Sequence, residues 1–213
     1  MAPIPVVLDV DTGIDDALAI LLALASPELH IVGVTCVAGN VRLEQVVQNT
    51  RGVLALARAT QVPVAIGAAK PLARRLTTAS FFHGEDGVGG VAMPSSDRAP
   101  SDEPADAFLV RMAAEFEGSL AIIAVGPVTN LALACRRDRT FADRVARLVL
   151  MSGAATVPGN ATPAAEANAY NDPEALAEVI ESFGHRGSET SPWGGARLTM
   201  VGLDVTLQTL FPA

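Results

Sequence analysis

Aromatic residues make up only 4% of this 213-residue chain, Lys70 is its single lysine, and it has two cysteines. Each scarcity removes a class of function. Without an arginine-rich stripe or aromatic stacking platform, and with a net charge of −8, the chain has no footprint for nucleic acid. Arg136, Arg137 and Arg139 do cluster, but at the end of an expected helix, where cations complement the dipole. The longest apolar run, Ala17 to Ala25, is too short to span a bilayer and follows two acids. The opening Met-Ala-Pro-Ile-Pro carries no basic leader region, so a soluble, cytoplasmic protein without membrane association is expected. Cys36 in an apolar strand and Cys135 near a helix end read as buried free thiols rather than a disulfide framework.

What the chain does have is aliphatic residues, half of it being apolar. A core of Ala, Val, Leu and Ile suits close packing of strands and helices. Apolar β-branched runs at about Val6–Asp9, Ile31–Val37, Val64–Ile66, Leu120–Ala124, Leu148–Met151 and Leu198–Val201 alternate with helices beginning near Asp15, Leu43, Pro104, Thr129 and Asp172. The expectation is an α/β fold: a mainly parallel, Rossmann-like open sheet with helices on both faces, in one domain over residues 1–213. Two long connections, 67–103 and 152–171, follow strands and therefore open at the carboxyl edge, where such folds bind ligands. Residues 184–195 read as a polar surface excursion.

Four aspartates lie within eight residues, in Asp9-Val-Asp11-Thr-Gly13-Ile-Asp15-Asp16, between a strand-like and a helix-like run. Period-two alternation sends Asp9 and Asp11 to one face, and Gly13 lets the chain turn. A helix N-terminus favours negative charge by roughly 0.3–1 kcal/mol per group, too little to offset repulsion among four packed carboxylates. A hard divalent ion offsets it, and with no His or Cys nearby the oxygens point to Ca²⁺ or Mg²⁺ rather than Zn²⁺. The bland alternative has Asp15 capping the helix and the other three solvated. An EF-hand is excluded because position twelve from Asp9 is Ile20 and a strand precedes the loop.

Polar residues recur at other strand ends: Gly39-Asn40, Gly126-Pro-Val-Thr-Asn130, and Glu166 with Asn168. On a parallel sheet all converge on one rim, where carboxylates and carboxamides around a cation suit a polyhydroxylated ligand. The aspartate motif resembles the signature of the inosine-uridine-preferring nucleoside hydrolases. The resemblance continues, in the family's order, through Val37-Ala-Gly-Asn40, His83-Gly-Glu-Asp-Gly87, Val125-Gly-Pro-Val-Thr-Asn130, Leu150-Met151 and Glu166-Ala-Asn168 with Asp172-Pro173-Glu174.

That resemblance implies Ca²⁺-dependent hydrolysis of a ribonucleoside to base and ribose, within nucleoside catabolism and purine and pyrimidine salvage, by a homodimer or homotetramer. It implies that Asp11 ligates Ca²⁺ and acts as base towards the attacking water, that Asp16 holds the ion through both oxygens, and that the Val125 carbonyl adds a ligand. Asp15, Asn40, Glu166 and Asn168 would grip the ribose hydroxyls, with Met151 and Asn160 beside the sugar and His83 near the base. Asp9 would support the motif from behind. Family members run on beyond a segment resembling Thr199-Met-Val-Gly-Leu-Asp204-Val-Thr206, into a part holding a metal-binding aspartate and a histidine proposed as leaving-group acid. The sequence is thus expected to be incomplete at the C-terminus, with turnover slowed by the loss of an acid that typically contributes about 10²–10⁴-fold. Two alternatives are weighed beside this. One is an inactive ribose- or nucleoside-binding paralogue or oligomer partner. The other is a haloacid-dehalogenase-like phosphatase with Asp9 as nucleophile, Asp11 as acid/base and Lys70 as phosphate clamp.

Overall fold

The computed structural model describes residues 2–184 and 197–209. In chain order the elements are β1 (Ile4–Val10), α1 (Ile14–Ala25), β2 (Leu29–Cys36), α2 (Leu43–Leu56), β3 (Val64–Ile66), α3 (Ser80–His83), α4 (Ala105–Glu115), β4 (Ala121–Ala124), α5 (Thr129–Arg137), α6 (Phe141–Arg144), β5 (Arg147–Met151), α7 (Ala167–Asn171), α8 (Pro173–Gly184), β6 (Leu198–Val201) and α9 (Leu203–Thr206). The six expected strands and five expected helix starts are present within a few residues. Pro104 is the N-cap of α4 and Pro173 opens α8, where a missing N–H costs nothing. The short helices α3, α6, α7 and α9 went unforeseen, because four or five residues carry too little periodicity to register. The excursion at 184–195 lies, but for Gly184, outside the described residues, as does His185.

The strands form one sheet in the order β3-β2-β1-β4-β5-β6, every neighbouring pair parallel. Alternation along β1 divides the core in two. Val6, Leu8 and Val10 face α1 and α2, packing with Ala17, Ile20, Val46 and Val53. Val7 faces the other way, joining Phe108 and Leu109 of α4, Leu131 of α5, Phe141 of α6 and Val179 and Phe183 of α8. Helices thus lie on both faces, and right-handed crossovers put those leading to β2 and β3 opposite those leading to β4, β5 and β6. The strand order reverses between β1 and β4. Ligands of open α/β sheets bind at the carboxyl ends of the strands flanking such a reversal.

Candidate active site

The aspartate cluster sits at the carboxyl end of β1, on that reversal, but the four carboxylates do not share one place. Asp11 and Asp16 form the centre. The Asp11 amide donates to Asp16 Oδ1 at 3.3 Å, the Asn40 amide donates to Asp11 Oδ2 at 2.7 Å, and the Asn40 side chain donates to Asp16 Oδ2 at 3.1 Å. Gly13 N–H also donates to Asp16 Oδ2, at 3.0 Å, so the capping carboxylate of α1 is Asp16 and not Asp15. Glycine is required around this pair. A Cβ at Gly39 would collide with Asp11 Oδ2, and one at Gly126 would lie 2.8 Å from Oδ1.

Asp9 lies one layer back, turned into the sheet. Its Oδ1 accepts from Thr35 Oγ1 at 2.5 Å and from Asn130 Nδ2 at 2.8 Å, which suits support of the motif from behind and not a nucleophile at the opening. Lys70, the clamp of the phosphatase alternative, is exposed. Asp15 points into solvent, with His83 Nδ1 3.9 Å from its carboxylate. The bland reading is therefore inverted: the expected cap is free, and the three aspartates expected to be solvated are buried.

Across the reversal, the Asn168 side chain donates to the Val125 carbonyl at 2.8 Å and the Met151 carbonyl at 3.0 Å, tying α7 to the ends of β4 and β5. Glu166 is the N-cap of α7. Its Oε1 accepts from Asn168 N at 2.8 Å, while Oε2 accepts from the amides of Gly153 and Ala169, both at 3.0 Å. Asn160 is exposed, and its side-chain oxygen accepts from Ala167 N at 2.9 Å. Asp11, Asp16 and Asn40 thus form one group and Val125, Met151, Asn160, Glu166 and Asn168 a second, adjoining where Gly126 touches Asp11. His83 closes a third side, its Nδ1 accepting from Ile14 N–H at 3.2 Å, which places its own hydrogen on Nε2.

The electrostatics of the centre are those of a site built for positive charge. Burial, reinforced by the charge of Asp16, holds the Asp11 carboxyl well above the usual range. Burial likewise pushes Asp16 up to about 6, with the charge of Asp15 adding to it, and Asp9 up to about 6. Asp11 Oδ1 and Asp9 Oδ2 are buried with no hydrogen-bond partner. Such orphaned oxygens are uncommon in a folded protein. Among the described residues no three His, Cys, Asp or Glu side chains form a metal-holding group, so the carboxylates available to a cation are two, not the four that the sequence crowds together. The unpartnered Asp11 oxygen, Asp16 beside it and the second lone pair of the Val125 carbonyl fit part of the oxygen shell of a hard divalent ion. Burial also lowers the pKa of His83, favouring the neutral imidazole.

The profile of the family described as inosine-uridine preferring nucleoside hydrolase matches residues 6–213. The chain belongs to that family. It is 41% identical over 203 residues to uridine nucleosidase 1 of Arabidopsis thaliana, covering 95% of this chain and 57% of the relative. It is 42% identical over 203 residues to the pyrimidine-specific ribonucleoside hydrolase RihA of Escherichia coli, covering 95% and 61%. Among solved structures, a purine-preferring ribonucleoside hydrolase from Gardnerella vaginalis superimposes with a TM-score of 0.88 at 36% identity, over 97% of this chain and 63% of that one. The chain spans about three-fifths of the length of the curated relatives it matches.

Two parts of the rim escape sequence reasoning. Asp172, fully buried, accepts from Thr129 Oγ1 at 2.6 Å, Leu72 N at 2.9 Å and Ala175 N at 3.1 Å, joining the 67–79 connection, α5 and α8. Its Asp-Pro-Glu context marks a cap and nothing more. The other is Asn49, a carboxamide on the buried side of α2 among Val46, Val47 and Val53. A polar residue at a core position of an amphipathic helix was the available signal.

Proposed function

We propose that the chain carries the cation- and ribose-binding face of a Ca²⁺-dependent nucleoside hydrolase, which splits the N-glycosidic bond of a ribonucleoside into free base and ribose. The observation that carries this reading is the buried Asp11–Asp16 pair with Asp11 Oδ1 unpartnered, at the strand-order reversal and ringed by carboxamides. Asp11, Asp16 and the Val125 carbonyl would hold the ion. When bound, Ca²⁺ neutralises the pair, orients vicinal hydroxyls and lowers the pKa of the attacking water.

The chain's own groups do the rest. Asp11, with Oδ1 unpartnered at the centre of the site, is placed to accept a proton from water. Loss of the base builds positive charge on the ribosyl ring, which the surrounding carboxylates stabilise. Asn40 and Asn168 present amides, and Asp15 a free carboxylate, to the sugar hydroxyls. Neutral His83, with its hydrogen on Nε2, has a proton to offer on the base side. The named relatives act on uridine, on pyrimidine ribonucleosides and preferentially on purine ribonucleosides, so the class proposed is the ribonucleoside. The same reading assigns the protein to nucleoside catabolism and base salvage in the cytoplasm, as a homodimer or homotetramer, with cell fractionation and sedimentation as checks. Among the described residues no helix is long and apolar enough to cross a membrane.

The test is ribose release from uridine, cytidine, inosine and guanosine, with Ca²⁺ and with chelator. Release that needs Ca²⁺ and disappears in Asp11→Ala is expected. Nucleoside binding without any release, unchanged in Asp11→Ala, would favour the non-catalytic paralogue instead.

A further inference from the structure

We propose that Asn49 is a positioning residue that clamps the turn carrying Asp11 and Asp16 to the loop carrying His83. Asn49 is 2% exposed, and both of its side-chain N–H donors are committed. Nδ2 donates to the Thr12 carbonyl at 3.1 Å and to the Asp86 carbonyl at 2.8 Å, while Oδ1 accepts from Gln45 Nε2 at 2.9 Å. Gln45 thereby fixes which way the amide faces. The two acceptors belong to the two segments whose relative placement the proposed chemistry needs, and the inference rests on that reading of the site.

On the first segment, the Thr12–Gly13 peptide is held at both ends. Its carbonyl goes to Asn49 and its N–H to Asp16 Oδ2, so Asn49 sets the plane of the peptide that links Asp11 to α1. On the second, residues 84–90 form a turn with positive φ at Gly84, Gly87, Gly89 and Gly90. Glycines give such a turn little stiffness of its own. Asp86 braces it internally, accepting from Val88 N at 3.1 Å and Gly90 N at 2.9 Å, and Gly89 N–H bonds the His83 carbonyl at 2.9 Å. The ties that bind the loop to the body are Ala79 N–H to the Asn40 carbonyl, Ile14 N–H to His83 Nδ1, and Asn49. A leucine at 49 fills the same space but leaves the buried Thr12 carbonyl and the half-buried Asp86 carbonyl without their donor. The loop is the less constrained of the two segments and yields first.

Imidazole NMR reads this directly, without nucleoside or Ca²⁺, because the chain has only three histidines. In Asn49→Leu the His83 titration midpoint should rise to that of a solvated imidazole, about 6.5, as the ring leaves its buried seat between Ile14, Asp15 and Phe82. Exposed His30 should not move. Asn49→Ser provides a second route, since the shorter side chain removes the Nδ2 that donates to the Thr12 and Asp86 carbonyls and leaves the 84–90 turn itself unaltered. It should shift His83 in the same direction, and it decides the matter alone if Asn49→Leu does not fold. An unchanged His83 midpoint in the folded variants, or an equal change at His30, would overturn the proposal. In the activity assay Asn49→Leu should lower kcat/KM by about 10²-fold, as small misplacements of reacting groups do. A shifted His83 with no activity in wild type would instead leave the clamp standing and count against the proposed reaction.

Discussion

Two stretches of the rim bury carboxylates to the same degree and use them in opposite ways. At the α7–α8 junction, Glu166 and Asp172 each sit at a helix N-terminus, and their four oxygens all accept hydrogen bonds, mostly from backbone amides. At the β1–α1 turn, Asp9, Asp11 and Asp16 lie close together, two of their oxygens have no partner, and burial raises every one of their pKa values. The junction spends its charge on cohesion. The turn holds charge that the fold leaves unsatisfied, which is what a cation-binding surface requires before its ion arrives.

The sharpest way to break this contrast is to remove one carboxylate from each stretch. Asp172→Ala deletes the bond that caps α8 and two bonds reaching into two other segments, and should destabilise the fold by about 2–4 kcal/mol in urea unfolding. In metal-free protein, by contrast, Asp11→Asn should leave stability unchanged or raise it, because it relieves buried repulsion. A large loss in Asp11→Asn would mean that the turn is structural after all.

The second test is the pH dependence in chelator. The folded pKa of Asp9, about 6, stands above its ordinary 3.8, so its contribution is fully present below about pH 4 and is lost as pH rises through about 6. For this carboxyl the decline amounts to roughly 3 kcal/mol at most. Urea midpoints measured from pH 4 to 7 should fall less steeply in Asp9→Asn than in wild type. Identical slopes would show that Asp9 is not held protonated by burial.

A smaller effect is expected at Asn168. Its amide spans the Val125 and Met151 carbonyls, and a neutral hydrogen bond is worth roughly 0.5–1.5 kcal/mol, so Asn168→Ala should weaken ribose binding by about tenfold while Ca²⁺ affinity stays nearly intact. Equal loss of both would mean that the whole rim had moved. Smallest of all is Glu174→Ala, which breaks a bidentate pair with Arg74 beside Asp172. Both partners are exposed, and the urea midpoint should not change measurably.

The contrast also marks what could be read from the sequence. The sheet and its carboxyl rim were legible because β-branched runs alternate with helical ones and Asp-Pro and Pro signals punctuate them. The order of strands was not spelled out, yet it decides that Asp11 and Gly126 are neighbours. In the aspartate motif, composition revealed the charge but not its division. Only β1's pleat turns Asp9 towards Thr35 and Asn130, and only the helical turn buries Asp16 while leaving Asp15 in water. Arg136 and Arg137 end α5 as expected, but they pair with Glu178 and Asp106 on other helices, contacts that no local pattern specifies. The partners of Asn49 were hidden for the same reason, its two acceptors being brought to it by tertiary folding.

On the proposed reading the unsatisfied turn binds a hard divalent cation through Asp11 and Asp16. Calorimetric titration of chelator-treated protein with Ca²⁺, on wild type, Asp11→Asn and Asp16→Asn, tests it most directly. Saturable Ca²⁺ binding by wild type is expected, lost or severely weakened in both variants, since an amide removes charge and a second coordinating oxygen. Equal binding by all three proteins, or none by wild type, would contradict it.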